Sequence, residues 1–313
     1  MNKTLISPVK KKSPVYAYVQ GVGKVKKKDP HWGRKVHSHF TRKKKTADAG
    51  KLSFGLGNAK LSKAIATFSL PAGHSCPFAN ECLSKAARST GLLTDGDNCR
   101  FRCFAAANEC TYPSVRTARW KNMDLLKAAG TVEAMGKLIQ SSLPWGLTMV
   151  RVHVSGDFYS EKYFLAWLNV AWNNPQVTCY GYTKATPFLV KYKKHIPPNF
   201  RFTASLGGTH DDLIAKHKLK SALVVFSTEE ARLKGLEIDH DDSHAFGNNG
   251  SFALLLHGTQ PPGSEASKAW VKLMKAGIGG YGETANSRNV IVERPLAVYV
   301  TVKDGKVFIP KRK

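Results

Sequence analysis

Five of the chain's six cysteines, Cys76, Cys82, Cys99, Cys103 and Cys110, are crowded into one segment. Thiolates are soft ligands that select zinc, copper or iron–sulfur clusters. Zinc sites pair cysteines at C-x2–4-C, and here only Cys99 with Cys103 has that spacing. The wider, irregular intervals suit a 4Fe–4S cubane, whose irons lie at separate corners. A 4Fe–4S cluster is therefore the leading expectation and zinc the alternative. Without a metal the same residues would be small buried hydrophobes. If 98–108 is helical, Cys99 and Cys103 share a face as i and i+4 neighbours. Arg100 and Arg102 beside them favour the thiolate that a metal needs. Cys179 lies inside an apolar run and reads as core.

A second set of candidates sits at the ends of apolar runs. In Arg151-Val152-His153-Val154-Ser155-Gly156-Asp157, strand alternation puts Val150, Val152 and Val154 on one face and Arg151, His153 and Ser155 on the other. A polar row is costly unless satisfied or lining a site. Gly156 then allows a tight turn and Asp157 emerges at the rim. The plain reading of this row is an internal hydrogen-bond network. Tyr180, Tyr182 and Lys184 share one face of the next run. Ser205 is followed by Gly207-Gly208, a backbone suited to close approach of a ligand or phosphate. His257 and Gln260 end a further run. His153, Ser155, Gly156, Asp157, Tyr182, Ser205, Gly207, Gly208 and Gln260 are thus candidate cofactor contacts. Asp157, Lys184 and His257 are the candidates for catalysis. The run Asp239 to His244 offers ligands for a divalent cation, although a solvated acidic turn accounts for it more simply. Neither a G-x-S-x-G nucleophile elbow nor a P-loop is present.

Positioning these residues falls to alternating elements. Strands are expected at 64–69, 148–154, 177–182, 200–205, 221–227 and 252–257. Helices are expected at 114–128, 131–142, 160–173, 186–195, 210–217, 228–234 and 264–277. Such alternation implies an α/β fold, a mostly parallel six-stranded sheet with crossover helices. Both a doubly wound sheet and an incomplete TIM-like barrel fit. The cysteine segment follows the first strand, so it belongs at the carboxyl edge where α/β folds build their sites. Near the end, Asp304-Gly305 signals a hairpin, an antiparallel pair expected to close the fold.

Charge divides the chain. With 48 Lys and Arg against 22 Asp and Glu, the net charge is +26. Residues 1–63 hold 17 basic and two acidic residues, which is +15 of the total. Apolar periodicity is poor over 1–50, which reads as a basic, flexible arm ahead of a single α/β domain over 51–313, with a metal-binding insertion at 74–110. Tyr16, Tyr18, His31, Trp32 and Phe40 lie among its lysines, a mixture that neutralises phosphates and stacks on bases. Nucleic acid is the expected partner. No segment reaches the ~20 apolar residues of a membrane span, and no apolar signal region of ~7–15 residues opens the chain. A cytoplasmic location without membrane contact is expected, in which cysteines stay reduced.

Several long segments carry a resemblance: SLPAGHSCPFANECLSKAARS, RFRCFAA, RVHVSGDFYS, YGYTKATPF, FTASLGGTHDD and LLLHGTQPPGS. From about 51 to 283 the chain resembles the gene product 88 family of phage and prophage proteins, whose activity is not established. The resemblance implies a phage or mobile-element origin, hence a host cytoplasm, and matches Cys76, Cys82 and Cys103 to the family's cysteines. Three ligands would suit a 4Fe–4S cluster with one iron open. The layout also looks like a radical S-adenosylmethionine barrel, by analogy of fold; the C-x3-C-x2-C signature of that superfamily is missing, which argues against adenosylmethionine chemistry. Two readings follow. One is a cluster-containing protein that binds nucleic acid through its arm. The other is a redox or radical enzyme with an open-site cluster. A zinc-stabilised nucleic-acid-binding protein is a third.

Overall fold

The computed structural model describes residues 50–58 and 61–278 in full, together with the short strands on either side of them. The chain divides into two units, Met1–Lys51 and Leu52–Lys313. In the first, β1 (Tyr16–Val19) pairs antiparallel with β2 (Gly23–Lys26), a pairing that the lysine-rich sequence does not advertise. The rest of the expected arm lies outside the described residues.

The second unit runs β3 (Gly55–Leu56), β4 (Ile65–Ser69), β5 (Ser84–Ala86), β6 (Leu93–Asp95), α1 (Phe104–Thr111), α2 (Pro113–Ala129), α3 (Val132–Ser142) and β7 (Met149–Ser155). It continues with α4 (Glu161–Trp172), β8 (Thr178–Thr183), α5 (Thr186–Lys191), β9 (Phe200–Ser205), α6 (Asp212–Lys216), β10 (Ser221–Val225), α7 (Thr228–Leu233), α8 (Ser243–Phe246), β11 (Phe252–Leu255) and α9 (Glu265–Lys275). Near the end, β12 (Thr301–Lys303) and β13 (Lys306–Phe308) form an antiparallel pair. They make a two-stranded sheet of their own instead of extending the main one.

Helix starts follow from the sequence. Thr131, Ser160, Ser227 and Ser264 each accept an amide proton three residues on, which satisfies an orphan donor of the first turn. Gly130 ends α2 in the left-handed conformation, the usual helix stop.

Six parallel strands, β4, β7, β8, β9, β10 and β11, stand side by side in chain order, with β3 antiparallel beside β4. A doubly wound sheet reverses its order at a switch point, so that alternative is excluded. Every crossover advances by one strand in the same direction. Since such crossovers are right-handed, the longer crossover helices collect on one face, while the short α8 packs Ala245 and Phe246 against Tyr180 and Phe252 on the other. The main core lies under the longer helices: Phe68, Val150 and Val152 from the sheet meet Leu126, Ile139 and Trp167 from the helices. The arrangement is that of an incomplete barrel, and among the described residues the sheet does not close.

One local departure matters for the site. Thr67 pairs with Arg151 and Ser69 with Ser155, so β7 bulges between them. His153 adopts φ 66° there.

Candidate functional site

The carboxyl edge of the sheet carries a cavity of about 290 Å³, and Cys76, Cys82 and Cys103 all line it. Each thiol arrives by a different device. Cys76 follows the turn after β4, whose Gly73 has φ 68° and no room for a Cβ beside the Ser84 carbonyl. Cys82 follows a stretch that docks on the end of β9: the amides of Asn80 and Glu81 both donate to Gly207 O, and Thr209 N donates to Phe78 O. Cys103 caps the N-terminus of α1, and Ser84 Oγ accepts its amide proton at 3.1 Å.

The glycine pair therefore receives the cysteine segment, where a ligand or phosphate had been the expectation. Its amides are also committed, since Gly207 N and Gly208 N donate to the Asp211 carboxylate at 2.7 and 3.0 Å. Gly156, at φ 83°, lies so close to Ser75 and Leu70 that a Cβ would collide with both.

Cys99 is placed differently. Helix α1 begins only at Phe104, so Cys99 and Cys103 do not share a helical face. The Cys99 thiol donates to the Phe101 carbonyl at 3.1 Å and does not line the cavity. Cys110 is exposed and Cys179 buried. The arginines next to Cys99 also serve other partners. Arg102 grips Asp95 at 2.5 Å, and Arg100 reaches Glu81 and Glu230. Burial, followed by Asp157 and the neighbouring thiols, pushes Cys76 well up. Burial and Cys82 push Cys103 up to about 11, against the pull of the Ala106 and Ala105 amides. The flanking arginines do not prevail: burial raises Cys99 as well, although Arg102 pulls it down.

Asp157 lines the same cavity and is 5% exposed. Its Oδ1 accepts from Thr183 Oγ1 at 2.6 Å and from its neighbour's amide, Phe158 N, at 2.7 Å; Oδ2 accepts from Lys184 N at 2.7 Å. Burial raises its pKa, and these donors oppose the rise. The Lys184 ammonium donates to Ser205 Oγ and Leu206 O, both at 2.7 Å. Ser155 Oγ donates to Leu70 O at 2.8 Å, tying β7 to the cysteine turn. His257 packs on Phe104 with centroids 4.8 Å apart. Gln260 grips the backbone of Arg102 from both sides, accepting from its amide at 2.8 Å and donating to its carbonyl at 3.3 Å. Its role is to hold the approach to Cys103.

His153 moves off the expected face. The residue still lines the cavity, but the bulge reverses the alternation and its ring enters the aromatic core, with Nε2 2.9 Å from Tyr163 Oη and the Phe158 ring 4.5 Å away. Val154 lines the cavity in its neighbourhood. The acidic run is also not a solvated turn at two of its positions. Asp239 and Asp242 are buried, and Asp242 Oδ2 meets Arg151 Nη1 at 2.6 Å and accepts from Tyr180 Oη at 3.2 Å. Tyr182 Oη donates to Asp242 Oδ1 at 3.2 Å.

Sequence reading gave no role to Glu109 or Arg119. Glu109 is fully buried, and its Oε1 accepts from Ala72 N at 2.9 Å and Arg119 Nη1 at 2.8 Å, with Ser155 Oγ 3.3 Å away. It thereby joins the cysteine turn, the end of β7 and α2. A lone acid in the alanine-rich FAAANECT was the available signal.

An open parallel barrel with three thiols and a buried carboxylate at its carboxyl edge defines an α/β protein built around a rim site. The chain belongs to the gene product 88 family, whose model matches residues 39–272. That match begins inside the basic segment, earlier than the resemblance had indicated. Comparison with curated proteins and with solved structures finds no match.

Proposed function

We propose that the chain is an iron–sulfur enzyme in which Cys76, Cys82 and Cys103 hold a 4Fe–4S cluster and the adjoining cavity admits a small ligand to the iron they leave open. The observation that carries this reading is the convergence of those three thiols on one cavity at the sheet edge where parallel α/β folds bind ligands. Bound there, the cluster would supply one-electron redox chemistry. The wide, irregular spacing of the thiols suits a cubane, whose ligands are spread over separate irons, better than zinc. Among the described residues, no group of three or more His, Cys, Asp or Glu side chains is arranged to hold a metal ion.

The chain's own residues would bind and orient the ligand. Asp157 is fixed by three donors, and Oδ2 keeps a lone pair for an ammonium or hydroxyl group. Lys184, held on Ser205 and Leu206, lines the cavity beside it. The apolar wall of Leu254 to Leu256 and Phe104 excludes water from this end.

The test is iron, sulfide and zinc analysis of protein purified without oxygen. About four irons per chain with a broad band near ~400 nm are expected, and Cys76→Ala, Cys82→Ala or Cys103→Ala each abolishes them while Cys110→Ala does not. A colourless protein with about one zinc sinks the proposal. If the cluster is present, reduction with S-adenosylmethionine and no cleavage product removes the radical version alone.

The charge of residues 1–63 favours a second role, the binding of nucleic acid by the basic arm.

A further inference from the structure

The opposite edge of the main sheet is built in another way. Because β7, β8, β9 and β10 are parallel neighbours, the segments that enter them share the amino edge: 143–148, 173–177, 192–199 and 217–220. At about 4.8 Å per strand they span roughly 14 Å. None of these four segments contains an acidic residue. Lys193, Lys194 and Lys218 lie within them, and Lys216 immediately precedes the last; all four are exposed.

Two tryptophans share this edge. Trp145, in the turn Pro144-Trp145-Gly146, is 97% exposed, and Trp172 is 53% exposed. The backbone beneath them is tied by hydrogen bonds. Trp172 Nε1 donates to His195 O at 3.1 Å, and Asn199 Nδ2 donates to the carbonyls of Ala171, Asn174 and Val177. Lys218 also occupies a left-handed position, φ 50°, at the stop of α6, where glycine would be less strained.

We infer that this edge binds single-stranded nucleic acid, with the lysines on phosphates and Trp145 stacked on a base. The pairing of acid-free, lysine-bearing segments with an exposed, sequence-tolerant aromatic ring is what single-strand binding requires. The surface is independent of the basic arm and of the thiol cavity, since it shares no residue with either.

The experiment measures anisotropy of a labelled oligothymidylate with the full chain across a salt series. In the variant Lys193→Gln, Lys194→Gln, Lys216→Gln, Lys218→Gln, the log–log salt slope should fall by roughly 3, at ~0.7 per lysine. Trp145→Ala should weaken binding about tenfold with the slope unchanged. Both variants alter exposed side chains only, and unchanged thermal unfolding checks that the fold is kept. An unchanged slope in the lysine variant overturns the inference. So does a Trp145→Ala protein that binds like the parent while heparin binds as tightly as the oligonucleotide, which would make the edge a general polyanion surface.

Discussion

His153 shows how one bulged residue changes a site. Burial lowers its pKa from 6.5 to about 3, so the folded chain keeps the ring neutral where the unfolded chain would protonate it. The stability this gives is complete above pH ~6.5 and is lost as the pH falls toward 3, by about 1.4 kcal/mol per unit. Denaturant unfolding should therefore show the native chain losing about 2 kcal/mol more than His153→Gln between pH 6.5 and 5; parallel pH profiles would refute it. Glu109 makes a different demand. Glu109→Ala leaves Arg119, 8% exposed, without its carboxylate, and should cost about 3–5 kcal/mol, lowering Tm by on the order of 10 °C in a thermal scan. A Tm within a degree or two of the parent would show that the pair contributes nothing net. Strand alternation made the polar row of β7 legible, and Asp157 and Ser155 line the cavity. His153 was not legible because nothing in Arg-Val-His-Val-Ser announces a bulge. Nor did the run at Asp239 to His244 show that two of its acids would be buried, Asp242 against Arg151, far away in sequence.

At the level of elements, the six parallel strands and the helices between them were readable because each is an apolar run or period bounded by caps and turns. β9 was expected at 200–205 and spans Phe200–Ser205. What escaped was short and polar: the β5–β6 hairpin inside the cysteine segment, with Ser84 opposite Asp95, and the two-residue β3. Such pieces bury too little apolar surface to leave a pattern, and long-range pairing creates them. The choice between a doubly wound sheet and an open barrel was likewise invisible, because strand order is a property of pairing and not of any one strand. The docking of the cysteine segment on β9 gives an element-scale prediction. At Gly207 φ is 89° and a Cβ would lie 3.1 Å from Glu81 Cβ. Gly207→Ala should strain this backbone by roughly 1–2 kcal/mol and loosen residues 76–82 to limited proteolysis. A variant with parental protease resistance would mean that the contact does not hold the loop.

Taken whole, the molecule is a polycation with its charge weighted to one end, +15 of +26 in residues 1–63. Among the described residues, no helix is long and apolar enough to cross a membrane. If the arm binds nucleic acid, deleting residues 1–50 should reduce both affinity and the steepness of its salt dependence in the same anisotropy titration; equal affinity would discard the arm's role. Composition alone revealed this asymmetry, whereas the basic amino edge depends on which segments the topology brings together. The order of synthesis adds a last consequence. The turn and segment that present Cys76 and Cys82 rest on Gly207 and Thr209, at the far end of β9. A ribosome adding ~5–20 residues per second reaches that strand several seconds after Cys103 has been made. Until then the three thiols have no common wall, so any loading of metal at this site would wait for β9, and a chain truncated before that strand could not perform it.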